Sequence, residues 1–169
     1  MPEAITNTSP MVYLYRAGAL AWLAELFDQV WIPGAVVNEL REGIRRGYDV
    51  PDPNEHSWLK IVDAKAIPSE WLALDLGPGE IAAMALALEN PDCVVLLDDG
   101  RAREIAQAAE LKVWGTLRVL LEAKRQGLTT SIEPFVTRLS ESGMWIAEEV
   151  RERILILAGE GKPKGTKLK

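Results

Sequence analysis

The sequence predicts a three-layer α/β sandwich built on a mainly parallel central sheet, and two observations carry that prediction. Short apolar runs alternate with segments of helical period along almost the whole chain, the order that places helices on both faces of a parallel sheet. The run Val94-Val95-Leu96-Leu97 has no polar interruption, as a strand buried on both faces requires, and it stops on Asp98-Asp99-Gly100. The carboxyl ends of strands are where open α/β sheets keep their ligands. Two adjacent carboxylates repel each other, so the pair implies a divalent cation, a helix N-terminus to cap or a solvated turn. This stretch alone leaves the three open.

Taken in order, Ala4-Ile5-Thr6-Asn7 reads as a short first strand, and Thr8-Ser9-Pro10 supplies a cap and a proline suited to a first helical turn. Met11, Leu14 and Tyr15, then Leu20, Leu23, Leu26 and Phe27, keep helical spacing with a break at Gly18, which makes two consecutive helices. Val30-Trp31-Ile32 is a strand closed by Pro33-Gly34. The helix after it carries Ala35, Val36, Val37 and Leu40, with Glu39 near its start. From Gly47 to Ser57 glycine, proline, aspartate and asparagine mark a surface loop in which His56 is expected to be solvated. Trp58 to Val62 alternates as an edge strand would, and Ile67-Pro68-Ser69-Glu70 opens a short turn or helix.

Leu76-Gly77-Pro78-Gly79 then turns into a helix with Glu80 at its very start, where the dipole favours an anion, and with Ile81, Met84, Ala85 and Leu88 on one face. Beyond the central strand, Arg101 to Glu110 is a helix with Ala102, Ile105, Ala106 and Ala109 inward. Lys112-Val113-Trp114 is a strand, and Gly115-Thr116 introduces a helix that ends at Gly127. Two amphipathic helices, Ser131 to Glu141 and Ala147 to Leu157, are separated by Ser142-Gly143. Residues 1–158 are therefore expected to form one domain, and residues 159–169, poor in apolar side chains and carrying four lysines, a disordered basic tail.

The bulk properties narrow the function. The 169 residues suit one sizeable core, and 48% apolar with 26% charged residues is an ordinary globular composition. A net charge of -6 and a pI of about 4.9 argue against broad phosphate neutralisation, so any nucleic-acid contact has to be local or assisted by a cation. One cysteine, Cys93, excludes an intrachain disulfide framework or a cysteine-cluster zinc site and fits a reducing compartment. The sequence has neither a long apolar span nor a secretory leader, so a cytoplasmic protein without a membrane role is expected.

The acids are ordinary one by one and informative together. Asn7 ends the first strand, Glu39 lies in the helix after the second, Glu80 opens a helix after a glycine-rich turn, and Asp98 and Asp99 end the central strand. In a parallel sheet these positions can gather at one rim, where carboxylates would hold Mg²⁺ or Mn²⁺ for phosphodiester hydrolysis. Solvated first-turn acids and simple helix caps are the alternative for each of them. Arg101 and Arg103, just past the Asp pair, are candidates for phosphate contact or for pairing with nearby glutamates. Of the six tryptophans, Trp22, Trp31 and Trp114 are expected to be buried, and Trp58 and Trp71 are the expected surface aromatics.

The ordered set Asn7-Thr8-Ser9-Pro10, Val36-Val37-Asn38-Glu39-Leu40, Leu76-Gly77-Pro78-Gly79-Glu80, Leu96-Leu97-Asp98-Asp99-Gly100-Arg101-Ala102-Arg103 and Val113-Trp114-Gly115-Thr116 resembles the PIN-domain nucleases, in particular small prokaryotic proteins of the VapC-like toxin branch. The resemblance implies a metal-dependent endoribonuclease acting on RNA, often a homodimer and often bound by an antitoxin protein. Carried over residue by residue, it implies Asn7, Glu39, Glu80 and Asp99 as metal ligands, with Asp98 as a further catalytic carboxylate and Ser9 and Thr116 as supporting hydroxyls. Asn7 stands where the family usually has aspartate. An amide oxygen brings no negative charge to a hard cation, so Asn7 is consistent with a weakened enzyme, with an inactive PIN-like module that binds an antitoxin-like protein or RNA, or with a substitution introduced to suppress a toxic activity.

Overall fold

A computed structural model describes residues 3–161. Its sheet has five strands, β1 (Ala4–Thr6), β2 (Val30–Ile32), β3 (Leu59–Ile61), β4 (Val94–Leu96) and β5 (Lys112–Trp114), in the order β3-β2-β1-β4-β5. Every pairing is parallel, with Ile5 opposite Trp31 and Val95, and Thr6 opposite Leu96. The helices are α1 (Thr8–Arg16), α2 (Trp22–Leu26), α3 (Gly34–Arg45), α4 (Pro78–Glu89), α5 (Gly100–Ala108), α6 (Thr116–Arg125), α7 (Glu133–Glu141) and α8 (Glu148–Leu157). Strands this short are held by burial rather than by ladder length. Ala4, Ile5, Val95 and Leu96 are all fully inaccessible.

The period of two along each strand feeds two separate cores. Ala4, Val30, Ile32, Val94 and Leu96 pack with Met11 and Leu14 of α1, Leu23 of α2, Val36 and Leu40 of α3, Val119 and Leu120 of α6 and Val136 of α7. Ile5, Val95 and Leu97 face the other way, onto Ala83, Met84 and Ala87 of α4 and Ala102 and Ala106 of α5. Three layers follow, as the sequence predicts. The chain leaves β1 toward β2 on one side and returns to pair β4 on the other, so the strand order reverses between β1 and β4. A crevice opens at the carboxyl ends on either side of that reversal.

Gly18, at φ +76°, lets the chain turn left-handed out of α1, the break that separates it from α2. Four details differ from the sequence expectation. Helix α4 is buried nearly all round, through Ala83, Met84, Ala85, Leu86 and Ala87, because it lies against both the sheet and α3, while Leu88 is exposed. Glu39 is in the second turn of α3 rather than at its start. His56 is half-buried with its ring 5.5 Å from that of Trp58. The most exposed aromatic is Trp145, at 86%, between α7 and α8, while Trp58 and Trp71, expected at the surface, and Trp22, Trp31 and Trp114, expected to be buried, are all half-buried. Among the described residues no helix is long and apolar enough to cross a membrane.

Glu160 lies in the stretch expected as tail, yet its carboxylate accepts from the amides of Ile132 and Glu133 and from the Ser131 hydroxyl, and pairs with Lys124 at 3.0 Å. It thereby satisfies the open N–H groups at the start of α7. The four lysines of the expected tail, Lys162, Lys164, Lys167 and Lys169, lie outside the described residues. Burial alone would raise the Glu160 carboxyl, but these donors outweigh it and hold the group at about 2, below its ordinary 4.5. A depressed folded pKa contributes stability that is complete above the ordinary value and is lost as pH falls toward the folded one. Glu160→Gln is expected to cost about 2 kcal/mol at neutral pH and to flatten the loss of stability between about pH 4.5 and 2, as chemical denaturation across pH will measure.

Candidate functional site

The carboxyl rim of the sheet receives the N-termini of α1, α4, α5 and α6, and each acid at that rim is held by one or two of them. Asn7 follows β1 directly, and its amide donates to the Leu96 carbonyl at 3.2 Å, tying the ends of β1 and β4 together. Its side chain caps nothing, although the residue occupies the N-cap position of α1. Asn7 is 4% exposed, and its Oδ1 is buried with no hydrogen-bond partner among the described residues. A buried, unpaired carbonyl oxygen costs about 1–3 kcal/mol unless water or a cation takes it up.

Glu39 reaches from α3 to two helix starts at once. Its Oε2 accepts from the Thr8 hydroxyl at 2.7 Å, at the head of α1, and its Oε1 from the Gly79 amide at 2.7 Å, at the head of α4. Gly79 has to be glycine for this: a Cβ there would sit 2.9 Å from both Cδ and Oε2 of Glu39. Glu80 follows at once, and its Oε1 accepts from the Gly77 amide at 3.1 Å. Its Oε2 is the second buried oxygen with no partner among the described residues. Burial raises the Glu80 carboxyl against the pull of the Gly77 bond, and the charges of Asp99 and Glu39 raise it further.

The Asp pair divides its work. Asp99 is exposed and caps α5, its Oδ2 accepting from the Ala102 amide at 2.9 Å. Asp98 turns the other way, into the start of α6, where Oδ1 accepts from the Thr116 amide at 2.7 Å and Oδ2 from the Thr116 hydroxyl at 2.6 Å. Burial pushes the Asp98 carboxyl up, while the Thr116 bonds and the Arg103 charge pull it down. Thr116 is fully buried, and its hydroxyl is engaged with Asp98. Thr8, rather than Ser9, supplies the other hydroxyl bond to an acid. Ser9 is half-buried in the first turn of α1. The motif contains both hydroxyls side by side, and only the helical phase set by Asn7 as the cap decides between them.

The structure thus brings Asn7, Glu39, Glu80 and Asp99 to one rim of the sheet, close enough for Glu39 and Asp99 to act on Glu80, with Asp98 facing α6. Among the described residues no three Asp, Glu, His or Cys side chains are already arranged as a ligand set. Each oxygen of Glu39 and of Asp98 already accepts one hydrogen bond, so Asn7 Oδ1, Glu80 Oε2 and the second oxygen of Asp99 are the least engaged. All three are hard oxygen donors. Mg²⁺ keeps several waters and needs only one or two carboxylates, so this donor set fits such a cation without a full protein cage.

Beyond Asp98 a cleft of about 340 Å³ continues between the start of α6 and the 142–147 segment and α8, with Arg103, Arg118, Trp145 and Arg153 in its walls and Ile146 and Ile154 among its apolar lining. Arg103 stands beside Asp98 over Gly115, while Arg101 points elsewhere, 3.7 Å from the exposed Asp75. Trp145, Arg118 and Arg153 form no sequence motif, and the packing of α8 against α6 brings them together.

A profile of the family DUF3368, described as a PIN domain, matches residues 3–160. A PilT N-terminus domain protein from the hyperthermophilic archaeon Sulfolobus solfataricus is similar in structure over 86% of this chain and 98% of its own, at 12% identity and a TM-score of 0.46. No curated protein matches the sequence.

Two outcomes check the geometry. Gly79→Ala is expected to expel the Glu39 carboxylate and lower stability by about 1–3 kcal/mol, and Glu39→Ala should recover part of that loss in a double-mutant cycle. The ionised Glu80 carries a cost, because its folded pKa is raised and the associated stability is lost as pH rises through it. Glu80→Gln should therefore raise the melting temperature in EDTA at neutral pH by about 2–4 °C, and the gain should vanish in mild acid.

Proposed function

The chain belongs to the PIN-domain family, whose members are in general nucleases, and on that premise we propose that it is a Mg²⁺- or Mn²⁺-dependent endoribonuclease of the VapC-like toxin branch. The observation that carries the reading is the pair of buried oxygens unpartnered among the described residues, Asn7 Oδ1 and Glu80 Oε2, at the rim where the charges of Glu39 and Asp99 act on Glu80. Negative charge has been concentrated there at a cost that Glu80 registers directly. A cation at these oxygens removes that cost.

Asn7, Glu80 and Asp99 would hold the cation, and Glu39, clamped between Thr8 and Gly79, adds field and fixes the start of α4 against α1. When bound, the cation supplies charge for the phosphodiester oxygens and lowers the pKa of the attacking water. The water oxygen bonds to phosphorus as the ester P–O bond breaks. A carboxylate of the rim would take the water proton and pass it to the leaving oxygen. Asp98 positions the start of α6 through Thr116. Arg103 offers its charge to a phosphate beside Asp98.

RNA as substrate, a cytoplasmic site of action, a homodimer and an antitoxin partner belong to the same proposal. The exposed Leu72 and Ile156 give a protein partner apolar surface to cover. Asn7 favours a second reading, a PIN-domain module without turnover that works by binding an antitoxin-like protein or RNA. The same substitution decides between them. Asn7→Asp is expected to tighten Mn²⁺ binding in calorimetry about tenfold and to raise cleavage of a mixed RNA pool, while Glu80→Gln abolishes both. Cleavage by neither the natural chain nor Asn7→Asp overturns the nuclease reading and leaves the binding module.

A further inference from the structure

A polyanion that approaches Glu39, Glu80, Asp98 and Asp99 is repelled by them, and in a chain of net charge -6 the attraction has to come from a few local groups. The cleft beyond Asp98 holds such a group. Arg103, Arg118 and Arg153 line it together with Asp98 and Thr116, so it borders the acid rim of the sheet at Asp98. Arg118 is steadied by Glu122 at 3.0 Å and lies over the Trp114 ring at 5.1 Å. Arg103 and Arg153 form no ion pair among the described residues. Trp145 stands in the same wall with 86% of its surface open to solvent. An indole left this exposed contributes almost no burial to the fold, and beside three guanidinium groups it has the chemistry of a stacking platform.

We propose that this cleft is the subsite for one unpaired nucleotide of single-stranded RNA next to the phosphodiester held at the acids, with the base stacked on Trp145 and the flanking phosphates met by Arg103 and Arg153. The inference rests on the nuclease reading and names the form of its substrate. The volume of about 340 Å³ suits a single nucleotide, and a base has a free face for the indole only when it is not stacked in a duplex. The apolar lining from Ile146 and Ile154 gives the base edge a dry floor, while the arginines supply phosphate contact that does not read sequence.

The test is anisotropy of a short labelled single-stranded oligoribonucleotide titrated with the full chain in EDTA, where the nuclease reading allows no turnover, with the matching duplex and the single-stranded DNA as further arms. Trp145→Ala is expected to weaken binding about tenfold, equivalent to about 1.4 kcal/mol. Arg103→Ala with Arg153→Ala should weaken it comparably and reduce the slope of log affinity against log salt by about 1–2. Tyr48→Ala, which removes an exposed aromatic elsewhere, should bind like the natural chain. Equal binding by the natural chain and both cleft variants overturns the subsite, as do failure of the natural chain to bind and tighter binding of the duplex. A Trp145→Ala variant that changes oligomeric state in sedimentation while its RNA affinity stays the same overturns it in favour of a protein interface. Cleavage with Mn²⁺ separates the two readings: turnover with no dependence of KM on Trp145 or Arg153 removes only the subsite, and cleft-dependent binding without turnover by either the natural chain or Asn7→Asp removes only the nuclease.

Discussion

The carboxylates at the rim of this sheet are held in place by helix N-termini. A parallel sheet with right-handed crossovers sends every strand into a helix that starts at the same edge, so open backbone N–H groups accumulate there. Glu39 takes one from α4, Glu80 caps the same helix, Asp99 takes one from α5, and Asp98 one from α6. The positive ends of these helices offset charge that would otherwise push the acids apart. The architecture therefore does more than display the acids: it makes their crowding tolerable, while burial still raises Glu80 and Asp98 from their ordinary values, with the charges of Asp99 and Glu39 adding to it at Glu80.

The same constraint explains why some oxygens are free and others are not. A carboxylate has two oxygens, and each helix start takes one. Glu39 serves two starts and Asp98 gives both oxygens to one, so in each of them both oxygens already accept a bond. Glu80 serves one, and Asn7, whose position would suit a cap, serves none with its side chain. The two orphaned oxygens are what remains after the fold has taken its share.

Much of this was legible in the sequence because period and punctuation are local. Val30–Ile32, Val94–Leu96 and Lys112–Trp114 follow from short apolar runs between turn formers, and the start of α4 from Gly77-Pro78-Gly79. The division of labour between Asp98 and Asp99 was not legible, since neighbours in sequence point apart only once α5 and α6 have both claimed a cap. Leu88 fits the inward face of a helix packed on one side, and α4 is packed on more than one. Trp145 and Glu160 depend on contacts across long stretches of chain: one is left outside by the fold and the other is drawn in. No local pattern distinguishes a tryptophan that finds a core from one that does not.

Asn7, Glu39, Glu80 and Asp99 come from four separate stretches of the chain, and nothing but the folded sheet brings them together. The unfolded chain has no equivalent of their crevice. Whatever the acids take up is therefore bound by the native state alone, and by mass action its concentration sets how much of the chain is folded. Through Glu39, which fastens α3 to the heads of both α1 and α4, occupancy of a small crevice would be felt across most of one face of the molecule. A ligand held there would therefore add to the stability of the folded chain as its concentration rises.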